Sequence, residues 1–341
     1  MKHNQVTIKD IAEIAGVSFS TVSRCLNDSP LVSDKTKQKV TKIAHELGFE
    51  FNASARGLIT SEVGTVGIVL PEQYTKISVN VYHGMLMNSL RTSLEKRDVD
   101  MIVTYHKNHY SGQNNITRLV TRRKIDGLIV LMENMDKKTL EFLKSRQIPF
   151  VCTHYPPSSM IDDQDVIYTD HYAGGKLVAE HLLAKGHRDF TLLAVEDPHL
   201  EFQLRDEGFS DTIQKAGGTV TRFFTTSEYE ASKELVTEYM DTIRKTSALF
   251  GLNDLMALGA IRAFKEHGLV VPDDMAVVGY DDSEFGQFSA PALTSIHQPK
   301  EELAVLSCDR LFHQMEKQKH QEEILRKRIS IQPVLVVRES T

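Results

Sequence analysis

The sequence predicts an α + α/β protein: a small all-helical head followed by a two-lobed α/β body. Three observations predict it. Apolar residues recur at helical spacing through the first 50 residues, short apolar runs alternate with helical stretches from Val63 onward, and those runs fall into two successive series. The chain has 341 residues, enough for two or three units with their own cores. Hydrophobic residues make up 41% and charged residues 25%, which excludes a disordered chain. The net charge of −6 excludes a chain that is basic throughout, but the charge is uneven: residues 1–60 carry eight Lys or Arg against six acids, and the remainder 32 against 40. A mildly basic head on an acidic body suits a head that meets phosphate and a body that does not.

Three cysteines, Cys25, Cys152 and Cys308, are widely spaced and lack metal-ligand spacing, so free thiols in a reducing compartment are expected. The start, MKHNQVTIKD, has no apolar signal core, and no run approaches the roughly 18 apolar residues that span a bilayer. The expectation is a cytoplasmic protein without membrane contact. The 14 histidines are scattered, and no metal or other cofactor is expected.

The elements follow in order. In TIKDIAEIAGVSFSTVSRCLN, Thr7 and Asp10 have capping-box spacing, and Ile8, Ile11, Ala12 and Ala15 share one helical face. Gly16 supplies the left-handed backbone of a helix end. Ser18 can cap a second helix, with Phe19, Val22 and Leu26 inward and Ser20, Thr21, Arg24 and Asn27 outward. Helix, glycine corner and a second helix with a short polar outer face make a helix-turn-helix, whose second helix enters the DNA major groove; an ordinary helical hairpin is the bland alternative. Asn27-Asp28-Ser29-Pro30 is a turn cluster, Ser33 caps a third helix through Val40, Ile43, Ala44 and Leu47, and Gly48 closes it.

These 50 residues, followed by NASARGL, closely resemble the head of the lactose- and galactose-repressor family of bacterial transcription regulators. The match covers Val6 to Leu58 almost without gaps, and weaker matches run to PVLVVRES at the C-terminus. The resemblance implies DNA contact by Thr7, Ser18, Phe19, Ser20, Thr21, Ser23, Arg24 and Asn27. Arg24 meets either a guanine edge or a phosphate, and Phe19 is either core or a thymine-methyl contact. Cys25 is expected inside, and Lys35 and Lys39 at phosphate or solvent. Asn52 to Leu58 resembles the family's hinge helix, in which Leu58 wedges into the minor groove, Ala55 allows close helix pairing and Arg56 adds a contact. Phe51 stands where the family usually has proline, so the hinge start is less pre-set.

The implied division is a head at residues 1–50, a hinge helix at 51–62 and an effector-binding and dimerisation body at 63–341. The body is expected to look like a periplasmic sugar-binding protein. Its first lobe is read as about 63–158 with 294–322, its second as about 160–291 with 324–341, and the chain crossings as near Pro156–Asp162, Pro291–Ser295 and Glu322–Leu325. Open α/β sheets bind ligands at the carboxyl ends of their strands. By resemblance the effector contacts are Arg205, Asn253, Asp281 and Gln298, with Tyr229 as a stacking aromatic, His154 where many sugar-responsive members carry an aspartate, and Tyr74 and Tyr82 as further candidates. Asn253 or Asp254 also has the position of a helix cap, and Arg205 that of a lobe-bridging ion pair.

There is no G-x-S-x-G elbow, no G-x-x-x-x-G-K-[ST] loop and no G-x-G-x-x-G after a strand, so no enzyme is expected. The resulting expectation is a dimeric, ligand-responsive repressor on a palindromic DNA operator, controlled by a small molecule, a sugar or sugar derivative. An activator or dual regulator with the same head, or a solute receptor, is the alternative.

Overall fold

The computed structural model describes residues 6–26, 29, 31–49, 62–71, 77–157, 164–196 and 198–341. Two compact units result, Met1–Thr65 with Arg123–Asp126, and Val66–Arg122 with Gly127–Thr341. No helix among the described residues is long and apolar enough to cross a membrane.

In the first unit α1 (Ile8–Ala15), α2 (Phe19–Leu26) and α3 (Asp34–Glu46) enclose a core of Ile11, Ala15, Val22, Cys25, Val40 and Ala44. The Asp10 carboxylate accepts from the Thr7 N–H and hydroxyl, both at 2.7 Å, and these bonds lower its pKa. Gly16 ends α1 at φ 66°, with open space where a side chain would stand, so backbone conformation is what requires glycine. Ser18 accepts from the Thr21 N–H at 3.1 Å, and Ser33 from the Thr36 N–H at 3.4 Å. Two expectations change. Phe19 is 55% exposed and takes no part in the core, because the inward face of so short a helix is filled by Val22 and Cys25. Lys39 donates from Nζ to the Ala15 carbonyl at 2.8 Å, closing the C-terminus of α1, where a cation complements the helix dipole.

The second unit is built on two six-stranded sheets. The first contains β1 (Thr65–Leu70), β2 (Asp100–Tyr105), β3 (Gly127–Val130), β4 (Phe150–His154), β5 (Asp165–Thr169) and β11 (Arg328–Ile331), in the order β11-β5-β4-β3-β1-β2. The second contains β6 (Asp189–Val195), β7 (Thr219–Thr225), β8 (Ala248–Gly251), β9 (Ala276–Tyr280), β10 (Thr294–His297) and β12 (Val334–Val336), in the order β12-β10-β9-β8-β6-β7. β12 runs antiparallel to β10, while β6, β7, β8, β9 and β10 pair in parallel. The helices are α4 (Ile77–Glu95), α5 (Asn115–Thr121), α6 (Lys137–Ser145), α7 (His171–Ala184), α8 (Leu200–Lys215), α9 (Tyr229–Glu238), α10 (Met240–Ile243), α11 (Asp254–Glu266), α12 (Glu284–Gln287) and α13 (Lys300–Lys319). Strand runs such as TVGIVL and GLIV are buried along their whole length, and apolar but for Thr65, because helices cover both faces of a parallel sheet.

The strand order corrects all three crossings and both lobe ranges. β5 belongs to the first sheet, where Val151 pairs with Asp165, so the chain leaves that sheet after Thr169 and not at Pro156–Asp162. β10 belongs to the second sheet, so the second crossing follows His297 and not Pro291–Ser295. The third falls between β11 and β12, at 332–333, and not at Glu322–Leu325. Side chains far away in sequence decide this. Asp165, fully buried, receives Arg310 Nε at 2.7 Å and the Lys327 N–H at 2.7 Å, which ties β5 to α13 and β11. Ser295, also fully buried, donates to Asp254 Oδ1 at 2.5 Å and holds β10 against α11.

Candidate functional site

The outer face of α2 presents Ser18, Phe19, Ser20 and Arg24 to solvent, with Thr21 and Ser23 half-buried. The Ser18 hydroxyl lies 2.8 Å from both the Ser20 and the Thr21 hydroxyl, which pre-orders the start of the helix. Thr7, exposed at the start of α1, is occupied with Asp10. Asn27, Asn52, Ala55, Arg56 and Leu58 lie outside the described residues, as do nearly all of the expected hinge and Tyr74.

Within the second unit a cleft of about 420 Å³ opens between the two sheets. The carboxyl ends of both sheets converge on it. From the first come Pro71 after β1, His106 after β2, Glu133 after β3, and His154 and Tyr155 at the end of β4. From the second come Glu196 after β6, Ser227 after β7, Asn253 after β8, Asp281 after β9 and Gln298 after β10. Helix α4 adds Tyr82 and His83, and α8 adds Glu201, Phe202 and Arg205. Parallel strands aim their carboxyl ends and the following loops at one edge, which is where open α/β sheets hold ligands.

Arg205 is the centre of the second-sheet wall. It is buried, and its guanidinium lies 3.9 Å from the Tyr280 ring centroid and 4.8 Å from that of Phe202. Nη1 donates to the Leu252 carbonyl at 2.7 Å and lies 3.5 Å from Asp281 Oδ1. Two glycines of α7 set this arrangement. A Cβ on Gly175 would stand 2.0 Å from the Arg205 carbonyl oxygen, and one on Gly174 would stand 2.2 Å from the Tyr280 hydroxyl. α7 and α8 therefore approach closely enough to hold Arg205 against the tyrosine ring. Gln298 Nε2 donates to Asp281 Oδ1 at 2.7 Å. Burial raises the Asp281 pKa, and Arg205 and the Gln298 bond oppose that rise.

Asn253 serves as a helix cap and also faces the cleft: Oδ1 accepts the Met256 N–H at 2.8 Å, and Nδ2 donates to the Ser227 carbonyl at 3.0 Å. Asp254 sits behind it, held by Ser295 and the Ser283 N–H, its pKa raised by burial to about 7. Asp282 is structural, paired with Arg338 and with His297 Nδ1 at 3.0 Å. On the opposite wall His154 lies between aromatic neighbours, 4.8 Å from the Tyr82 centroid and 4.5 Å from that of Tyr155. Burial first, then His83, His171 and Arg205, hold its pKa well below the usual histidine range, so the imidazole is neutral. Tyr229 opens α9, half-buried, its backbone packed toward Gly259 of α11, and it is not among the residues that line the cleft.

The sequence reading passed over Glu133, His199, Glu201 and Phe202. Glu201 stands one turn before Arg205 on α8, and that four-residue spacing was the available signal. Several buried polar atoms here have no hydrogen-bond partner among the described residues: Tyr82 Oη, His154 Nδ1, Glu201 Oε2 and Gln298 Oε1. Buried polar groups are ordinarily satisfied, so such a set around one cavity fits a ligand that is itself rich in donors and acceptors. Among the described residues no group of His, Cys, Asp and Glu is arranged to hold a metal ion.

Comparison with known proteins gives a consistent picture. Residues 7–52 match the family described as bacterial regulatory proteins, lacI family, and residues 179–341 match a periplasmic binding protein-like domain. The HTH-type transcriptional repressor PurR of Haemophilus influenzae is 30% identical over 344 residues, covering 98% of each chain. The lac repressor dimer bound to operator and the anti-inducer ONPF superposes with a TM-score of 0.79 at 25% identity over 99% of each chain. A LacI family regulator from Enterococcus faecium with bound ribose superposes with a TM-score of 0.67 at 25% identity, covering 81% of this chain and 98% of that one. A three-helix head, a doubly built α/β body and a repressor alike from end to end lead to one assignment: the chain belongs to the lacI family of bacterial regulatory proteins.

Proposed function

We propose that this protein is a dimeric transcriptional repressor whose affinity for a two-fold symmetric operator is set by a small carbohydrate bound between the two sheets of its body. The observation that carries the effector reading is the convergence of strand ends from both sheets on Arg205, Asp281 and Gln298, with buried polar atoms around them that have no partner among the described residues. The ribose held by the related Enterococcus faecium regulator supports a sugar. Carboxylate, carboxamide and guanidinium groups in one wall match the alternating donors and acceptors of a polyol, and Tyr82, Tyr155 and Phe202 offer faces to its C–H groups.

The control is a two-state coupling. A ligand that touches both sheets stabilises the closed arrangement of the lobes, and the dimer passes the change to the paired heads. Ser18, Phe19, Ser20, Thr21, Ser23 and Arg24 read the half-site, and Asn27, Asn52, Ala55, Arg56 and Leu58 complete the contact by resemblance. Couplings of this kind amount to roughly 1–3 kcal/mol, or about 5–150-fold in operator affinity.

Duplexes selected from a random pool on the full chain should converge on a palindrome. Anisotropy on that duplex, with and without D-ribose and D-glucose, then measures the coupling. Arg205→Lys keeps the charge opposite Asp281 and loses the planar fork, so it should abolish the sugar response with the operator still bound. An unchanged response in that variant removes the cleft from the mechanism.

A further inference from the structure

We propose that Glu201 sets the charge selectivity of the cleft: it accepts a hydroxyl of an uncharged sugar and excludes sugars that carry a phosphate or a carboxylate. The inference rests on the reading of the cleft as a carbohydrate site. Glu201 lines the cleft from the first turn of α8 and is 4% exposed, and its Oε2 has no hydrogen-bond partner among the described residues. A buried acceptor that the protein leaves unmatched gains from a ligand donor that reaches it. Burial raises the carboxyl to about 7, Arg205 and His199 opposing the rise, so near neutral pH the group is shared between its charged and protonated forms, and a hydroxyl donated to Oε2 favours the charged one.

The surroundings leave little to stabilise an anion. Arg205 is the one Lys or Arg among the described residues that line the cleft, and Asp281 already opposes its charge at 3.5 Å. His154 is held neutral. The N-terminus of α8 would ordinarily attract phosphate. Here it is taken: Glu133 Oε1 accepts the Leu200 N–H at 3.2 Å, and Glu133 Oε2 lies 2.6 Å from His199 Nδ1. Glu196 adds a further carboxylate to the lining. A phosphorylated or acidic sugar would therefore meet Glu201 and Glu196 in a cleft whose guanidinium is already paired, with Glu133 engaged by His199 and the Leu200 N–H. A neutral sugar would meet acceptors for its hydroxyls and the aromatic faces of Tyr82, Tyr155 and Phe202.

The test is calorimetric titration of the full chain with D-ribose and D-glucose against ribose 5-phosphate, glucose 6-phosphate and D-glucuronate, repeated on Glu201→Gln and Glu201→Asp. The wild type should bind a neutral sugar at least about tenfold more tightly than its charged counterpart, the scale of one charge-assisted hydrogen bond. Glu201→Gln, nearly isosteric, should shrink that ratio about tenfold, and Glu201→Asp, which keeps the charge, should preserve it. The melting temperature of the unliganded variants shows that they are folded. A charged sugar bound as tightly as its neutral parent, or a ratio unchanged in Glu201→Gln, overturns the role of Glu201 and leaves the sugar site standing. If no sugar of either kind binds, the carbohydrate reading itself fails and the inference falls with it.

Discussion

Glu133 and His199 join the two halves of the body across the cleft. Glu133 follows β3 of the first sheet, His199 precedes α8 beside the second, and Oε2 lies 2.6 Å from Nδ1. The same carboxylate accepts the Leu200 N–H at 3.2 Å. The bond to His199 is the main cause that lowers the Glu133 pKa from 4.5, with the Leu200 N–H adding to it against burial. A depressed carboxylate contributes stability that is present above its unfolded pKa and is lost as pH falls through the folded value. Glu133→Gln should therefore remove part of the acid sensitivity of the body below about pH 4.5. With His199 half-exposed, the effect at neutral pH should be at most about 1 kcal/mol. Urea melts of both proteins at pH 3.5 and 7 read it, and equal acid sensitivity would dismiss the bridge.

Arg205 presents a larger effect. Its removal leaves Asp281 in a buried site without its cation and leaves the face of Tyr280 uncovered. Breaking one side of a buried pair costs roughly 3–5 kcal/mol, whereas replacing both sides by neutral groups costs far less. Arg205→Met should therefore destabilise the body strongly, and Arg205→Met with Asp281→Asn should recover much of the loss. Strict additivity of the two substitutions in denaturant melts would show that the pair is not coupled.

Glu201 titrates in the opposite sense to Glu133. Its folded pKa, about 7, lies above the ordinary 4.5, so the folded state holds more protons than the unfolded one between those values. Stability must then fall as pH rises through that window. The full span corresponds to roughly 3 kcal/mol, from 1.36 kcal/mol per pKa unit. Asp254, raised to about 7 by burial, acts in the same window, so the difference between wild type and Glu201→Gln isolates the Glu201 share. Glu201→Gln should be the more stable protein at pH 8 and should lose that advantage by pH 4.5. Parallel stability curves for the two would contradict the burial argument.

What was readable in the chain, and what was not, follows from how local the physics is. Caps at Thr7, Ser18 and Ser33 and the left-handed Gly16 are decided within a few residues, and they stand where the spacing put them. The strands from β1 to β9 were legible as short runs, whereas β10, β11 and β12 were not, and the strand-end rule brought Asn253, Asp281 and Gln298 to one cleft. Sheet membership was not legible, because Asp165 is held in the first sheet by Arg310, 145 positions away. Glu201 was missed for a related reason: an acidic residue on a polar helix looks solvated until the fold shows which face is covered. Phe19 errs the other way, since a lone aromatic on a short helix looks like core.

Gly175 is the substitution that tests how Arg205 is placed. An added Cβ would meet the Arg205 carbonyl at 2.0 Å and the Phe209 nitrogen at 2.9 Å, both backbone atoms that have no rotamer to yield. Gly175→Ala must push α7 and α8 apart, at a cost of roughly 1–3 kcal/mol for overpacking. The displaced helix carries Glu201, Phe202 and Arg205 together. Sugar affinity should therefore fall more than tenfold, the change in a single contact being worth about that much. Calorimetry on a variant still folded by circular dichroism reads this, and full affinity would mean that the helices close without the glycine.

The head offers the cleanest separation of stability from recognition. Phe19 is more than half exposed and outside the core, so Phe19→Ala should change head stability by less than about 0.5 kcal/mol, the usual range for surface sites. Its ring and the Arg24 guanidinium stand on the outer face of α2, so both substitutions should weaken operator binding. Their patterns should differ. If Arg24 reads a guanine edge, Arg24→Ala costs about 1–3 kcal/mol on the best operator and relaxes preference at one base pair. If it meets a phosphate, the loss is uniform across sequences and the slope of affinity against salt becomes shallower by about one. Phe19→Ala removes no charge and should leave the salt slope as it is, while it weakens selection for thymine at the base it touches. Binding curves for each variant on an operator series at two salt concentrations separate these outcomes. A Phe19→Ala protein that melts early but binds normally would return that ring to the core.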